Sequence, residues 1–332
     1  MRIDSLDAFD DALLRAACQL EAAANVKARP GWQGIGTEAR MLQWRAEDGW
    51  LKQLHGAWDG SVLLGFSASM TYQNEPDTSW IYVWVDPNHQ TNSVGTALVA
   101  AAEGSSPATA TRFVSSAYRR TSAELGAFEQ RFAAPLGYAV ASAETVLELD
   151  LGIWTPPSPR NAAGYEISTH INGLPEHLRK QAGQIKGLVD AQAPNGDLGW
   201  SETAISAQEY AQEIALWNAQ GSTAIESVAL DNAGDLAAWT CLVVAPAPDS
   251  PSNVEGTLVL RQHRGHGLGI AVKTASLEAA KHMGTVRRIR TSSDDQNTWM
   301  HSINDALGFV PVEHEALYQK SRSTSGEQIL EG

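Results

Sequence analysis

The chain has 332 residues, 43% of them hydrophobic, which accommodates either two ordinary domains or one large one with a sizeable core. A chain of formal net charge −14 repels nucleic acid, whose binding usually relies on a basic face, and suits a cationic or amine-bearing small molecule slightly better. No stretch of about 18 consecutive apolar residues occurs, so no membrane-spanning helix is expected.

The opening stretch, MRIDSLDAFDDALLRAACQLEAAANVKAR, is acidic and amphipathic. It lacks the charged start, apolar middle and cleavage site of a signal peptide. Cys18 and Cys241, the only cysteines, make no disulfide framework or metal site, and the expected location is cytoplasmic. Each half is expected to open with helices. LKQLHGAW and SVLLGFSASMTY flank a turn at Asp59-Gly60 and read as paired strands. WIYVWV is a third strand, with Trp80 and Trp84 on one face, placed to pack between the halves. DPNHQTNSVGTALVAAAEG gives a turn and a helix, ATRFVSSAY a strand, SAELGAFEQRF a helix and LGYAVASAETVLELDL a strand.

The Pro-rich stretch from Trp154 to Gly164 resists helix and sheet alike and reads as a linker, dividing the chain into 1–152 and 153–332. Beyond it, LPEHLRKQAGQIKGLVD carries Pro175 near a helix start. In SAQEYAQEIALWN, Ser206 and Glu209 have capping-box spacing. Between these helices, Asp190 to Trp200 is rich in turn residues. AIESVALD and DLAAWTCLVV pair through DNAGD, and VEGTLVL follows as a third strand. A glycine-rich turn leads into GLGIAVKTASLEAAK, a helix with Leu268, Val272, Ala275 and Ala279 on one face. VRRIRTS is a strand, QNTWMHSINDA a helix and GFVPVEHEALYQK a final strand.

The halves share this grammar. Gln90 and Arg264 stand 174 positions apart, and Leu136-Gly137-Tyr138 and Leu307-Gly308-Phe309 stand 171 apart. Two landmarks at nearly equal offsets argue for duplication.

The turn in LRQHRGHGLGIAVK exposes backbone N–H groups at the start of a helix, where the dipole adds partial positive charge and an anion can bind. Gly265, Gly267 and Gly269 permit close backbone approach. Arg261, His263, Arg264 and His266 make the spot locally basic. The spacing fits neither the dinucleotide fingerprint nor the nucleotide P-loop. It fits Arg/Gln-x-x-Gly-x-Gly/Ala through Arg264, Gly267 and Gly269.

On these residues, TLVLRQHRGHGLGIAVK resembles the acyl-CoA-binding motif of the GNAT superfamily of N-acyltransferases. NTWMHSINDALGF resembles that superfamily's second cofactor motif. The likeness is clear over roughly residues 220–320 and fainter over 50–150, and the whole is similar to tandem GNAT acetyltransferases. It implies an α/β (α+β) fold of two GNAT-like domains, each a mixed, mostly antiparallel sheet flanked by helices. It also implies acetyl-CoA as cosubstrate and acetyl transfer to the primary amine of a small molecule by direct attack. By match, Leu258, Val259 and Leu260 pair with the pantetheine arm. Arg264, Gly265, His266, Gly267, Leu268, Gly269 and Ile270 hold the pyrophosphate, and Asn297 contacts the arm. The first half departs from the pattern. Ser93 replaces the central glycine, Gln90, Thr91 and Asn92 bring no charge, and Phe128 stands near the place of Asn297. It reads as a degenerate domain that supports the second, catalytic half.

For the chemistry, Glu255 at the start of the fourth strand is the candidate base, with an exposed strand-start glutamate as the plainer reading. Glu226 is a second candidate, and Asp190 and Asp197 are candidate amine ligands that also suit turn formation. Where many relatives place an acidic tyrosine, this chain has Asn304, which can hydrogen-bond a sulfur but not protonate it. Tyr318, the nearest C-terminal tyrosine, is not assigned to that role. His263, His266 and His301 have no partner set for a metal, and none is expected. Trp239 and Trp299 fall on apolar faces and read as core. A non-catalytic acyl-CoA-binding or regulatory protein, or a longer acyl donor, remains the alternative. Either a monomer or a homodimer is compatible with the tandem arrangement.

Overall fold

The computed structural model describes residues 1–29, 31–90, 93–157 and 162–322. The first repeat contains β1 (Arg2–Ser5), α1 (Asp11–Ala28), α2 (Thr37–Arg45), β2 (Trp50–Asp59), β3 (Val62–Tyr72), β4 (Thr78–Val85), α3 (Val94–Ser105), β5 (Arg112–Arg119), α4 (Ser122–Phe128) and β6 (Ala139–Asp150). The second contains β7 (Glu166–Ile171), α5 (Glu176–Lys186), α6 (Val189–Gln192), α7 (Ala207–Ala219), β8 (Thr223–Leu230), β9 (Leu236–Val244), β10 (Ser252–Val259), α8 (Leu268–Met283), β11 (Arg288–Asp294), α9 (Thr298–Leu307) and β12 (Val310–Ser321). Residues 158–161 of the Pro-rich stretch, and Thr91 and Asn92 of the first turn, lie outside the described residues.

The local rules behind these elements are visible. Asp10 caps α1 by accepting from the Ala12 and Leu13 amides at 3.0 Å. Ser206 and Glu209 form the expected capping box of α7. Gly137 and Gly308 both adopt left-handed backbone, φ 85° and 86°, and turn the chain into β6 and β12. Each half opens on a short strand before its helices, which corrects the expectation of a helical start. Four residues of β1 and six of β7 are too few to show a clear alternation.

All twelve strands form one sheet, ordered β1-β2-β3-β4-β5-β12-β6-β11-β10-β9-β8-β7. The last strands of the repeats are exchanged: β12 pairs with β5 of the first repeat, and β6 pairs with β11 of the second. β6 and β12 pair antiparallel with each other at the centre. Successive residues on each strand alternate between faces. Phe66 packs under α1 and α2, whereas a bulge at Leu64, between the Ala57↔Gly65 and Trp58↔Leu63 pairs, turns Leu64 under α3. In the second repeat Trp239 packs under α5 and α7, and Leu242 and Ile289 pack under α8 and α9. Thus α1, α2, α5 and α7 cover one face, and α3, α4, α8 and α9 the other.

The loop between α6 and α7 crosses from the second repeat onto this shared sheet. The Asp197 amide donates to the Ala141 carbonyl at 2.8 Å. Gly196 lies so close to Ala141 that a Cβ would collide with its carbonyl. Trp200 stacks on Trp80 with centroids 5.7 Å apart, and Arg112 donates to the Leu198 carbonyl. Trp80 therefore packs between the halves as expected. Trp84 does not: it stacks on Phe66 at 5.3 Å within the first repeat.

Candidate active site

In the first repeat, β4 and β5 are parallel and pair at Thr78↔Arg112, Ser79↔Phe113 and Trp80↔Val114. Beyond Trp80 they part, leaving a cleft of about 880 Å³. One wall is β4 from Ile81 to Val85, the other β5 from Ser115 to Arg119, with Gly95 and Thr96 of α3 at one end. Gly95 matters because a Cβ there would meet the Phe132 ring at 3.0 Å. The cleft is lined by Lys27, Arg29, Arg119, Arg120 and Arg131, against one carboxylate, Glu124. In a chain of net charge −14 this is a local reversal of sign. The first turn brings no basic residue, as its sequence says, but the end of β5 and the helical turn at 129–133 supply the charge instead.

On the α1 side of the cleft, the Arg29 guanidinium lies 3.9 Å over the Tyr118 ring and is bidentate to Glu313 at 3.0 and 2.6 Å. Tyr118 stands directly opposite Glu315 of β12 and hydrogen-bonds its carboxylate. Burial, with Glu144 close by, pushes the Glu315 carboxyl up to about 8. On the α4 side, Tyr318 forms part of the floor, with its ring edge-on to Phe128 at 5.9 Å. Its hydroxyl is enclosed and has no hydrogen-bond partner among the described residues. Burial pushes this phenol up to about 12. Tyr318 in the lining of this cleft, and Glu315 behind Tyr118, were not legible in the sequence, because β12 belongs to the other repeat.

The second repeat repeats the geometry. β10 and β11 pair in parallel only at Ser252↔Ile289 and Asn253↔Arg290, and β10 then carries a bulge between Val254 and Gly256. Glu255 sits at this bulge, accessible from solvent but walled by protein. That setting, with the Glu213 charge, pushes its carboxyl up to about 7, opposed by Lys186. Leu258 is buried in the core, and Val259 and Leu260 are half-buried. Gly265 and Gly267 are left-handed, φ 86° and 72°, and α8 begins at Gly267 with no side-chain cap. The amides of Leu268, Gly269 and Ile270 therefore start α8 without a capping side chain, while the side chains of Leu268 and Ile270 are buried. Arg264 folds back, donating to the Val259 carbonyl at 3.1 Å and to Gln192 Oε1 at 2.9 Å. His263 shares a 3.0 Å hydrogen bond with the Tyr165 hydroxyl, and the His266 ring centroid lies 5.5 Å from that of Tyr165.

Several candidates are placed elsewhere by the fold. Asn297 caps α9, its Oδ1 accepting from the Met300 amide at 3.1 Å. Asn304 is fully buried; it accepts from Lys273 Nζ at 2.8 Å and donates to Ser293 Oγ at 3.2 Å. Both ends of its amide are engaged inside the second repeat, and its side chain is closed off from solvent. Glu226 is buried and accepts from the Tyr210 hydroxyl and from Trp239 Nε1 at 2.8 Å. Asp190 lies on α6 and Asp197 on the crossing loop, both solvent-accessible, and desolvation by the surrounding protein, with the Glu75 charge, raises the Asp190 carboxyl. His301 Nε2 lies 3.1 Å from the Asp294 carbonyl. Trp239 is core as expected, whereas Trp299 is 84% exposed on α9, so the apolar face read for it is not buried. Among the described residues no group of three or more His, Cys, Asp or Glu could hold a metal. No helix among them is long and apolar enough to cross a membrane.

Comparison with known proteins gives a consistent picture. The model of the Acetyltransferase (GNAT) family matches residues 19–122, the half that holds the basic cleft. A search of curated protein sequences finds no match. Among solved structures, a tandem GNAT protein from the clavulanic acid biosynthesis pathway is similar over 98% of this chain and 99% of its own, with 22% identity and a TM-score of 0.78. A GCN5-related N-acetyltransferase from Sphaerobacter thermophilus is similar over 96% and 95%, with 19% identity and a TM-score of 0.64. A GNAT-family acetyltransferase from Colwellia psychrerythraea is similar over 97% and 100%, with 13% identity and a TM-score of 0.52. The chain thus has the tandem GNAT fold, and its residues 19–122 carry the sequence signature of the acetyltransferase (GNAT) family.

Proposed function

We propose that this protein transfers an acetyl group from acetyl-CoA to the primary amine of a small molecule by direct attack, and that the reaction takes place in the first-repeat cleft. One observation carries the reading: a large cavity between two parting parallel strands, lined by five cations and one carboxylate in a strongly acidic chain. The free edge of β4 beyond Trp80 offers backbone groups to an extended amide-bearing arm. The basic end, near α3 and the end of β5, suits phosphates. The thioester then lies toward Trp80, where the strands meet. An amine arrives as ammonium and must lose a proton before it attacks. Glu315, held behind Tyr118 with a carboxyl near 8, is a base matched to that task.

A second donor site at Arg264 to Ile270 is supported by the uncapped start of α8 after two left-handed glycines. There Glu255 is the corresponding base, and the division of labour falls near residues 152 and 153. Calorimetric titration with acetyl-CoA, followed by thiol release against a panel of small amines, tests the reading. Binding with turnover supports it. Binding without turnover on any amine favours a sensor, and no binding removes acetyl-CoA as the ligand.

A further inference from the structure

The first cleft opens on both faces of the sheet, and the two sides differ in lining. Along β4, Ile81 and Val83 point toward α3 and α4, whereas Tyr82 and Trp84 point toward α1 and α2. Along β5, Ala117 packs on the α4 side, and Tyr118 carries the Arg29 guanidinium on the α1 side. The α4 side holds Arg119, 4.7 Å over the Phe128 ring, together with Arg131 and the carboxylate of Glu124. With the donor's phosphates on that side, the acceptor enters from the α1 side. Lys27, Arg29, Tyr82, Trp84 and Tyr118 line the α1 side, and no carboxylate lines it among the described residues. Arg29 is not neutralised by its partner. Arg29, Arg288 and Arg290 share two carboxylates, Glu148 and Glu313, which leaves one positive charge over. Nε and Nη2 of Arg29 donate to Glu313, and Nη1 makes no hydrogen bond among the described residues. Lys27, exposed in the last turn of α1, forms no ion pair among them and adds a second positive charge. Glu21, which acts on Tyr82 from α1, is paired with Arg40 at 2.7 Å.

We propose that the acceptor is an aminocarboxylate, an amino acid or close relative, whose carboxylate is bound on the α1 side of the first cleft by Arg29 Nη1 and Lys27. The inference rests on acyl transfer taking place in that cleft. A polyamine or simple alkylammonium is repelled by the two cations, whereas a carboxylate beside the amine is drawn to them. The acidity of the chain as a whole points the other way. Charges beyond about 10 Å are largely screened at 0.1 M salt, so the local sign decides. One free guanidinium nitrogen and one ammonium match a monoanion; a phosphate dianion calls for more donors. Tyr82 and Trp84, stacked with centroids 5.8 Å apart, give the acceptor's side chain an apolar wall. The Tyr118 ring carries Arg29 while its hydroxyl bonds Glu315, so the anion site and the base lie one tyrosine apart. The same cations disfavour the charged form of a nearby ammonium, which eases the loss of the proton that must precede attack.

The test uses the whole chain, acetyl-CoA and matched acceptors: L-phenylalanine against phenethylamine, and β-alanine against ethylamine and O-phosphoethanolamine. The carboxylate-bearing member of each set is expected to show a kcat/KM at least about tenfold higher. Lys27→Glu is exposed and breaks no contact within the protein, so the fold is kept. It is expected to narrow that preference at least about tenfold by raising KM for the aminocarboxylate, with KM for acetyl-CoA unchanged. Arg29→Gln is expected to narrow it likewise, and its melting temperature reports the lost Glu313 bridge separately. Equal turnover within the pairs, or a preference for phenethylamine, overturns the assignment and leaves acyl transfer standing. A preference for O-phosphoethanolamine over β-alanine overturns the carboxylate. A raised KM for acetyl-CoA in Lys27→Glu gives that cation to the donor and overturns its role here. Turnover of other amines but of none of these overturns the substrate class, and turnover of no amine overturns the transfer reading and this assignment with it.

Discussion

Glu144 and Glu315 face each other directly across the β6–β12 pair, two copies of one repeat position meeting at the centre of the sheet. Burial disfavours ionisation of both carboxyls, and the Glu144 charge adds to the effect on Glu315. The Glu315 carboxyl is pushed to about 8 from an ordinary 4.5, and that of Glu144 is also raised. Below about pH 4.5 Glu315 is protonated in both folded and unfolded chains. Between 4.5 and about 8 only the unfolded chain ionises, so stability falls across that window, and above 8 the loss is complete. Glu315→Gln is therefore expected to stabilise the protein by about 2–4 kcal/mol above pH 8 and by little below pH 4.5. Denaturant melts at several pH values check this; a pH-independent difference contradicts it.

Asn304 holds Lys273, whose buried ammonium is pushed down to about 7 by desolvation. Replacing Asn304 with Ala leaves that cation without its acceptor and is expected to cost about 1–3 kcal/mol at neutral pH. Lys273 carries the opposite sign rule from Glu315. Its penalty is absent above about 10.5, grows as pH falls, and is complete below about 7. The cost of Asn304→Ala should shrink toward alkaline pH, as urea titrations at pH 6 and pH 10 would show.

The two candidate donor sites can be separated by one glycine each. A side chain at Gly95 pushes the Phe132 ring, 3.0 Å from the Cβ position, toward the first cleft. A side chain at Gly267 must adopt φ 72° and crowds the start of α8. Gly95→Val is expected to weaken acetyl-CoA binding in calorimetry at least tenfold and to abolish turnover. Gly267→Val is expected to remove a second binding event and to leave turnover in the first cleft in place. Loss of turnover in Gly267→Val alone would place the chemistry in the second repeat.

Expressing residues 1–152 and 153–332 separately removes β12 from β5 and β6 from β11. Each piece then presents a long unpaired strand edge. Each is expected to aggregate alone, and the two are expected to recover a soluble 1:1 complex when produced together. Size-exclusion chromatography of the single and combined pieces decides it.

The duplicated grammar of the chain was legible because strand alternation, caps and glycine turns are local. Gly137 and Gly308, Ser206 with Glu209, and the turn at Asp59-Gly60 all do what their sequence says. The turn at Arg264 to Ile270 contains two left-handed glycines and opens α8 without a side-chain cap, as its glycines say. What the sequence concealed is non-local. Nothing in GFVPVEHEALYQK says that it pairs with residues 112–119, so Glu315 and Tyr318 could not be placed at the first cleft. The basic lining was hidden for the same reason: Arg29, Arg119 and Arg131 are scattered in sequence and converge only in space. Asn304 illustrates the converse. Its motif position suggested a ligand, but the buried Lys273 beside it had already claimed its oxygen.

The exchange of β6 and β12 also fixes the order in which this molecule can come into being. During synthesis the first repeat emerges complete in length but lacks the neighbour that β5 requires. That neighbour, Val310–Ser321, is made only after β1 to β11 and α1 to α9. The first cleft cannot close around a ligand while the chain is still growing, and it matures as the last strand slides between two that have waited for it. The step that completes the central sheet is also the step that sets Glu315 behind Tyr118 and Tyr318 in the floor of the first cleft.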